Sequence, residues 1–129
     1  MSRPSRPRIV VVATGGTIAS RGATPTQTVG YARASLGAEA LIAAVPSIAE
    51  VADVRGEQLF QVLSGHLTAD NWLAMARRVE ELATFDDVDG IVVTHGTDAL
   101  EESAYFLTLT VRTRKPVVMT GAMRPASAL

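Results

Sequence analysis

The chain has no cysteine, which rules out a disulfide framework, a thiolate nucleophile and a cysteine-type zinc site. Its only histidines are His66 and His95, so a histidine-rich metal centre is not expected either. Neither sign of charge is in excess: 12 basic and 13 acidic side chains leave a net of −1. That balance offers no general electrostatic footprint for nucleic acid or for an anionic membrane. Long hydrophobic runs are lacking too. The basic, proline-rich start at 1–8 leads into Ile9 to Ala13, which is too short for a signal-peptide core and far too short to span a bilayer. Residues 1–8 are read as a disordered tail, and a cytosolic protein without membrane or nucleic-acid partners is expected. Internal repeats and low-complexity segments are absent as well.

What is there suffices for one domain with a core: 129 residues, 47% of them hydrophobic. Ile9-Val10-Val11-Val12-Ala13 is a continuous β-branched run rather than an alternating one, the mark of a strand buried on both faces. The polar stretch 21–35, with Gly22, Pro25 and Gly30, shows no periodicity and is long for a connection, as lids and binding loops are. Tyr31 is its one aromatic residue. Leu36 to Val45 reads as a short helix ended by Pro46. Two short strands are expected around Gly56, at 49–55 and 58–63. Thr68 to Ala83 is the clearest amphipathic helix, with Trp72, Met75, Ala76, Val79 and Leu82 on one stripe. A strand at 91–94, a helix at 103–111 and a strand at 117–120 complete the order. Buried strands alternating with helices predict an α/β fold, with a mostly parallel sheet flanked by helices.

The chemistry-bearing residues follow the strands. Thr14-Gly15-Gly16-Thr17 closes the first strand, with two glycines that permit a tight turn and present a hydroxyl. It is neither a dinucleotide fingerprint, since position 17 is threonine, nor a P-loop, since no Gly-Lys-Ser/Thr follows. Ser64-Gly65-His66 closes another strand, and Gly121 follows the last. His95-Gly96-Thr97-Asp98 closes the strand at 91–94, with Asp98 expected at the N-cap of the next helix and Glu101 three residues on, a capping-box spacing. Taken singly, each turn has a plain structural reading: Asp98 as a cap, Thr97 as a turn residue, His95 as a satisfied strand end. Together they differ, because a parallel sheet carries the C-terminal ends of its strands on one edge. Thr17, Ser64, Thr97, Asp98 and Gly121 are then expected around one crevice.

Two stretches carry a family likeness. Ala13-Thr14-Gly15-Gly16-Thr17-Ile18-Ala19 and Thr94-His95-Gly96-Thr97-Asp98-Ala99-Leu100-Glu101-Glu102-Ser103-Ala104 resemble the two signature motifs of the bacterial-type L-asparaginases. Gly56-Glu57-Gln58 and the segment 115–125 are similar to further family segments, so the likeness runs from Ile9 onward. It implies the flavodoxin-like N-terminal domain of asparaginases over 9–129, without the second, smaller domain. It implies hydrolysis of L-asparagine to L-aspartate and ammonia through a threonine acyl-enzyme, with no cofactor and no metal.

By the same likeness, Thr17 is the nucleophile and Tyr31 activates it. Ser64 binds the substrate α-carboxylate. Thr97 belongs to a second triad that positions water, and Asp98 binds the α-amino group and partners a lysine. Family members are about two and a half times this length, carry that lysine just beyond the equivalent of Leu129, and form homotetramers built from intimate pairs. Gly65 stands where many members have glutamine or glutamate, and Ala99 where a small hydroxyl is usual. Two other readings stay open at this point: an amidotransferase-type subunit, and a non-catalytic fragment that binds an amino acid.

Overall fold

In the computed structural model the described residues are 6–27, 29–30, 32 and 35–127. Four strands form one all-parallel sheet: β1 (Arg8–Gly15), β2 (Asp53–Val62), β3 (Gly90–Thr94) and β4 (Val117–Thr120), in the order β2-β1-β3-β4. Three helices connect them: α1 (Ala38–Ala43), α2 (Ala69–Thr84) and α3 (Leu100–Thr110). The α/β architecture expected from the sequence is the one observed.

Each strand's run is explained by what covers it. Val10 and Val12 of β1 and Ile91 and Val93 of β3 pack with Met75, Ala76, Val79 and Leu82 of α2 and Leu107 of α3. The alternate residues Val11 and Val92 face the other way, toward Leu41 and Ile42 of α1. Both faces of the central strands are apolar because helices lie on both sides. Trp72 stacks on Phe106, with ring centroids 5.6 Å apart, and its indole N–H donates to Ser103 Oγ at 2.9 Å. Thr68 caps α2 reciprocally with Asn71: the Thr68 N–H donates to Asn71 Oδ1 at 3.0 Å, and the Asn71 N–H donates to Thr68 Oγ1.

Three local expectations are corrected. The pair of strands around Gly56 is a single ten-residue strand, β2. Gly56 does not interrupt it but pairs with Val11, and its missing side chain is space for α1: a methyl group there would lie 2.8 Å from Ile42 Cδ1 and 3.0 Å from Ala38 Cβ. The helix expected over 36–45 is only Ala38–Ala43. Pro46 opens a separate 3-10 turn, Pro46–Glu50, a first-turn position where its missing N–H costs nothing. Finally, α3 begins at Leu100, so Asp98 is not its N-cap. That position belongs to Ala99, which makes no side-chain capping bond.

The topology fixes where a ligand can sit. From β1 the chain passes through α1 to β2 on one side, while β3 lies on β1's other side. The connections leaving β1 and β3 therefore diverge to opposite sides, and the C-terminal ends of these two strands are the place where an open α/β sheet binds ligands.

Candidate functional site

Three of the four strands end in the same device. A 3-10 turn follows β1 at Thr17–Ala19, β2 at Ser64–His66 and β3 at Thr97–Ala99. The sequence places a turn at each of these strand ends, but turns this short show no sequence period that would mark them as 3-10. The signals that do exist are the glycines Gly16 and Gly96 at the positions just before two of them.

The β1 end is shaped by a bulge. Register shifts between Ala13 and Gly15, and Gln58 fills the irregularity. Its side-chain amide donates to Ala13 O at 3.0 Å and to Phe60 O, and its carbonyl accepts from the Ala38 N–H at 3.1 Å. One residue thus ties β1, β2 and the start of α1. Thr14 Oγ1 donates to Thr94 O at 2.8 Å, which locks the ends of β1 and β3 together. Gly15 and Gly16 follow with φ of 104° and 83°, a region that L side chains rarely adopt. They turn the chain so sharply that Gly16 lands against β3's turn: a methyl group on Gly16 would lie 2.3 Å from Gly96 Cα and 2.4 Å from Gly96 N.

Gly96 is packed just as closely on its other side. A methyl group there would meet Ser64 Oγ at 2.5 Å. Ser64 is buried, and its Oγ accepts the Asp98 backbone N–H at 3.0 Å. Gly65 lies over the Asp98 side chain, and a Cβ at position 65 would be 3.6 Å from Asp98 Oδ2. A Cβ on Gly121, after β4, would be 2.9 Å from His95 O and 3.1 Å from Thr97 Cγ2. The turns after β1, β2, β3 and β4 are therefore one packed cluster, built on glycine contacts.

The residues expected at the site fall into place as follows. Thr17 heads the β1 turn, half-buried. Ser64, Thr97 and Asp98 sit on the adjoining β2 and β3 turns, with Asp98 exposed. Among the described residues, the Thr17 and Thr97 hydroxyls and the Asp98 carboxylate make no hydrogen bond or ion pair, so all three are free to meet a ligand. Tyr31 lies outside the described residues. Of the described residues around it, Arg21 and Ala32 are joined by a backbone bridge. Further ties run to the segment after β4: the Ala126 N–H donates to Ser20 O at 2.9 Å and the Gly22 N–H to Ser127 Oγ at 2.7 Å.

His95 is the residue whose setting was least visible in the sequence. It is fully buried, with Nδ1 2.7 Å from Gly96 O and Nε2 without a partner among the described residues. Burial holds its pKa below the usual histidine range, and the bond to Gly96 offsets this only in part.

Chemically the cluster offers two free hydroxyls, a free carboxylate, a buried serine and backbone N–H groups at tight turns. That set can attack an electrophilic carbonyl and hold a zwitterion. No group of three or more metal-ligating side chains occurs among the described residues. No helix among them is long and apolar enough to cross a membrane.

Comparison with known proteins follows the same lines. The family described as "Asparaginase, N-terminal" matches residues 8–129. A glutaminase-asparaginase of Pseudomonas fluorescens biotype A is 51% identical over 121 residues, covering 94% of this chain and 33% of the relative. L-asparaginase 2 of Bacillus subtilis (strain 168) is 50% identical over 123 residues, covering 95% of this chain and 33% of the relative. A crystal structure described as "Probable Cytoplasmic L-asparaginase from Campylobacter jejuni" superposes with a TM-score of 0.90 at 43% identity, over 96% of this chain and 38% of that one. The chain spans about a third of the length of the curated relatives it matches.

Proposed function

The chain belongs to the asparaginase family, over that family's N-terminal region, and from this premise we propose that its full-length form hydrolyses the side-chain amide of L-asparagine. The observation that supports the proposal is the junction of Gly16, Gly96 and Ser64, which packs together the turns that carry Thr17, Thr97 and Asp98.

In this reading Thr17 Oγ1 attacks the amide carbon and its proton is taken up in the site, with Tyr31 as the activating phenol. A threonine hydroxyl is a weak nucleophile without such help. The carbonyl oxygen gains negative charge, and backbone N–H groups at the strand-end turns stabilise it. Ammonia leaves with the transferred proton, and a threonyl ester remains. Water positioned by Thr97 then attacks the ester, releasing L-aspartate and restoring the hydroxyl. Ser64 takes the substrate α-carboxylate and Asp98 the α-ammonium.

Full-length relatives bear both asparaginase and glutaminase-asparaginase names, which supports the amino-acid amide class as a whole. The lysine partner of Asp98, the homotetramer and a cytoplasmic location belong to the proposal as well. So does the division of the chain into a tail at 1–8 and an asparaginase N-terminal domain at 9–129 that another domain completes.

The test is ammonia release by full-length Thr17→Ala. The variant is expected to lose several powers of ten in kcat. Retention of more than about a tenth would remove Thr17 as the nucleophile.

A further inference from the structure

His95 is buried at the heart of the site, yet the proposed chemistry gives it no task. Its backbone is held from both sides. The His95 N–H donates to Thr120 O at 2.8 Å, and Gly121 packs against His95 O so closely that a methyl group would come within 2.9 Å. The ring has little freedom either, since it is 1% exposed.

The ring's hydrogen bond to Gly96, its one bond among the described residues, defines its tautomer. Gly96 O is a carbonyl and can only accept, so the nitrogen 2.7 Å from it must carry the proton. Nε2 is then the bare nitrogen. It is buried with no partner among the described residues, and a second proton there would place a donor where they offer no acceptor.

The consequence runs through one peptide plane. The Gly96–Thr97 peptide is trans, so its C=O and N–H point in opposite directions. A carbonyl pinned toward the buried imidazole turns the Thr97 N–H away from it. That N–H has no acceptor among the described residues. An N–H left unpaired at a tight turn is the kind of donor that developing negative charge needs.

We propose that His95 is a positioning residue: with its proton on Nδ1 it fixes the Gly96 carbonyl and so aims the Thr97 backbone N–H into the crevice between β1 and β3. It does not touch substrate and exchanges no proton during turnover. The kinetic part of this proposal rests on the amide hydrolysis put forward above; the structural part does not.

The experiment uses the full-length protein and two variants. His95→Asn keeps a side-chain N–H within reach of Gly96 O. His95→Leu keeps bulk and removes the donor. Nitrogen-15 spectra of the parent are expected to show the proton on Nδ1. His95→Leu is expected to lose about tenfold in kcat with KM within about threefold, the scale of one neutral hydrogen bond lost. His95→Asn is expected to stay within about threefold in kcat. The Thr97 amide resonance is expected to move in the Leu variant and to stay near its parent position in the Asn variant.

A proton found on Nε2 overturns the proposal. So does a folded Leu variant with parent kcat, or an Asn variant as impaired as the Leu one. Should the Leu variant fail to fold, the parent tautomer and the Asn variant's kcat decide. If the parent releases no ammonia, the function proposed above fails, and the tautomer and the Thr97 resonance still decide this inference.

Discussion

Gly16 and Gly96 touch backbone to backbone: a single added carbon on Gly16 would sit 2.3 Å from the Gly96 Cα. Real Cβ contacts do not come that close, and Gly96 is itself closely packed: a carbon added to it would lie 2.5 Å from Ser64 Oγ. The contact joins the turn that presents Thr17 to the turn that presents Thr97 and Asp98.

Gly16→Ala is therefore expected to be severe. Its φ of 83° and ψ of −174° lie in a region that is essentially glycine's alone, costing of order 1–3 kcal/mol for alanine. The backbone clash adds to this, and a total of about 3 kcal/mol or more is expected. Urea unfolding of parent and variant measures it; a loss below about 1 kcal/mol would show that the two turns can separate freely.

The uneven legibility of this chain has a physical pattern. Strands β1 and β3 were readable because burial on both faces demands unbroken β-branched runs, as in Val10-Val11-Val12 and Ile91-Val92-Val93. Helix α2 was readable because its apolar stripe is a local signal. Gly56 misled because a strand glycine normally marks a break, and only the packing of α1 over it reveals otherwise. Asp98 misled for a related reason: a 3-10 turn of three residues, invisible to any period, is inserted before α3 and shifts the cap to Ala99. The convergence of the strand-end turns was inferable, since it needs only parallel strands with turns after them. The setting of the His95 ring and the Gln58 clamp were not, since both depend on which atoms the fold brings within bonding distance.

Two titrations should separate on the pH axis. His95 is held by burial below its ordinary value of 6.5, so the folded ring refuses a proton that the unfolded chain accepts. Its contribution to stability is complete above about 6.5 and is lost as pH falls below that value. Asp89 is held down to about 2, first by hydrogen bonds from the Arg8 side chain and then by the Arg8 backbone N–H. Its contribution is present above the ordinary carboxylate value of 3.8 and is lost as pH falls toward about 2. Thermal midpoints from pH 8 to pH 3 should show a first decline that His95→Asn removes and a second that Asp89→Asn removes. A single decline below pH 4, the same in parent and His95→Asn, would contradict the buried neutral ring.

Gly65 marks a place where the site is open by composition rather than by backbone need. Its φ is not positive, and a Cβ would meet Asp98 Oδ2 at an ordinary 3.6 Å. Gly65→Gln is thus expected to leave stability within about 0.5 kcal/mol, as exposed substitutions do. Its amide would reach over the Asp98 carboxylate and change KM for asparagine relative to glutamine by about threefold or more. Equal KM ratios in parent and variant would place the substrate away from this flank.

Asp98→Asn now gives a cleaner test than its sequence position promised. Were Asp98 a helix cap, the change would mix a structural effect with a chemical one. It is not: α3 starts at Leu100, and among the described residues the Asp98 carboxylate bonds to nothing. Ser64 Oγ is bound by the Asp98 backbone N–H, which asparagine also has. Folding should therefore be nearly unaffected, with unfolding midpoints shifted by no more than a few tenths of a kcal/mol. Binding should suffer, because the variant loses the charge proposed to hold the substrate ammonium. A hydrogen bond to a charged group is worth roughly 1.5–3 kcal/mol, so kcat/KM for asparagine should fall by about tenfold to a hundredfold. Both quantities belong on one full-length sample, kinetics beside thermal unfolding. Unchanged kcat/KM with unchanged stability would leave Asp98 as a bystander on an exposed turn, and the ammonium would have to be sought at another carboxylate.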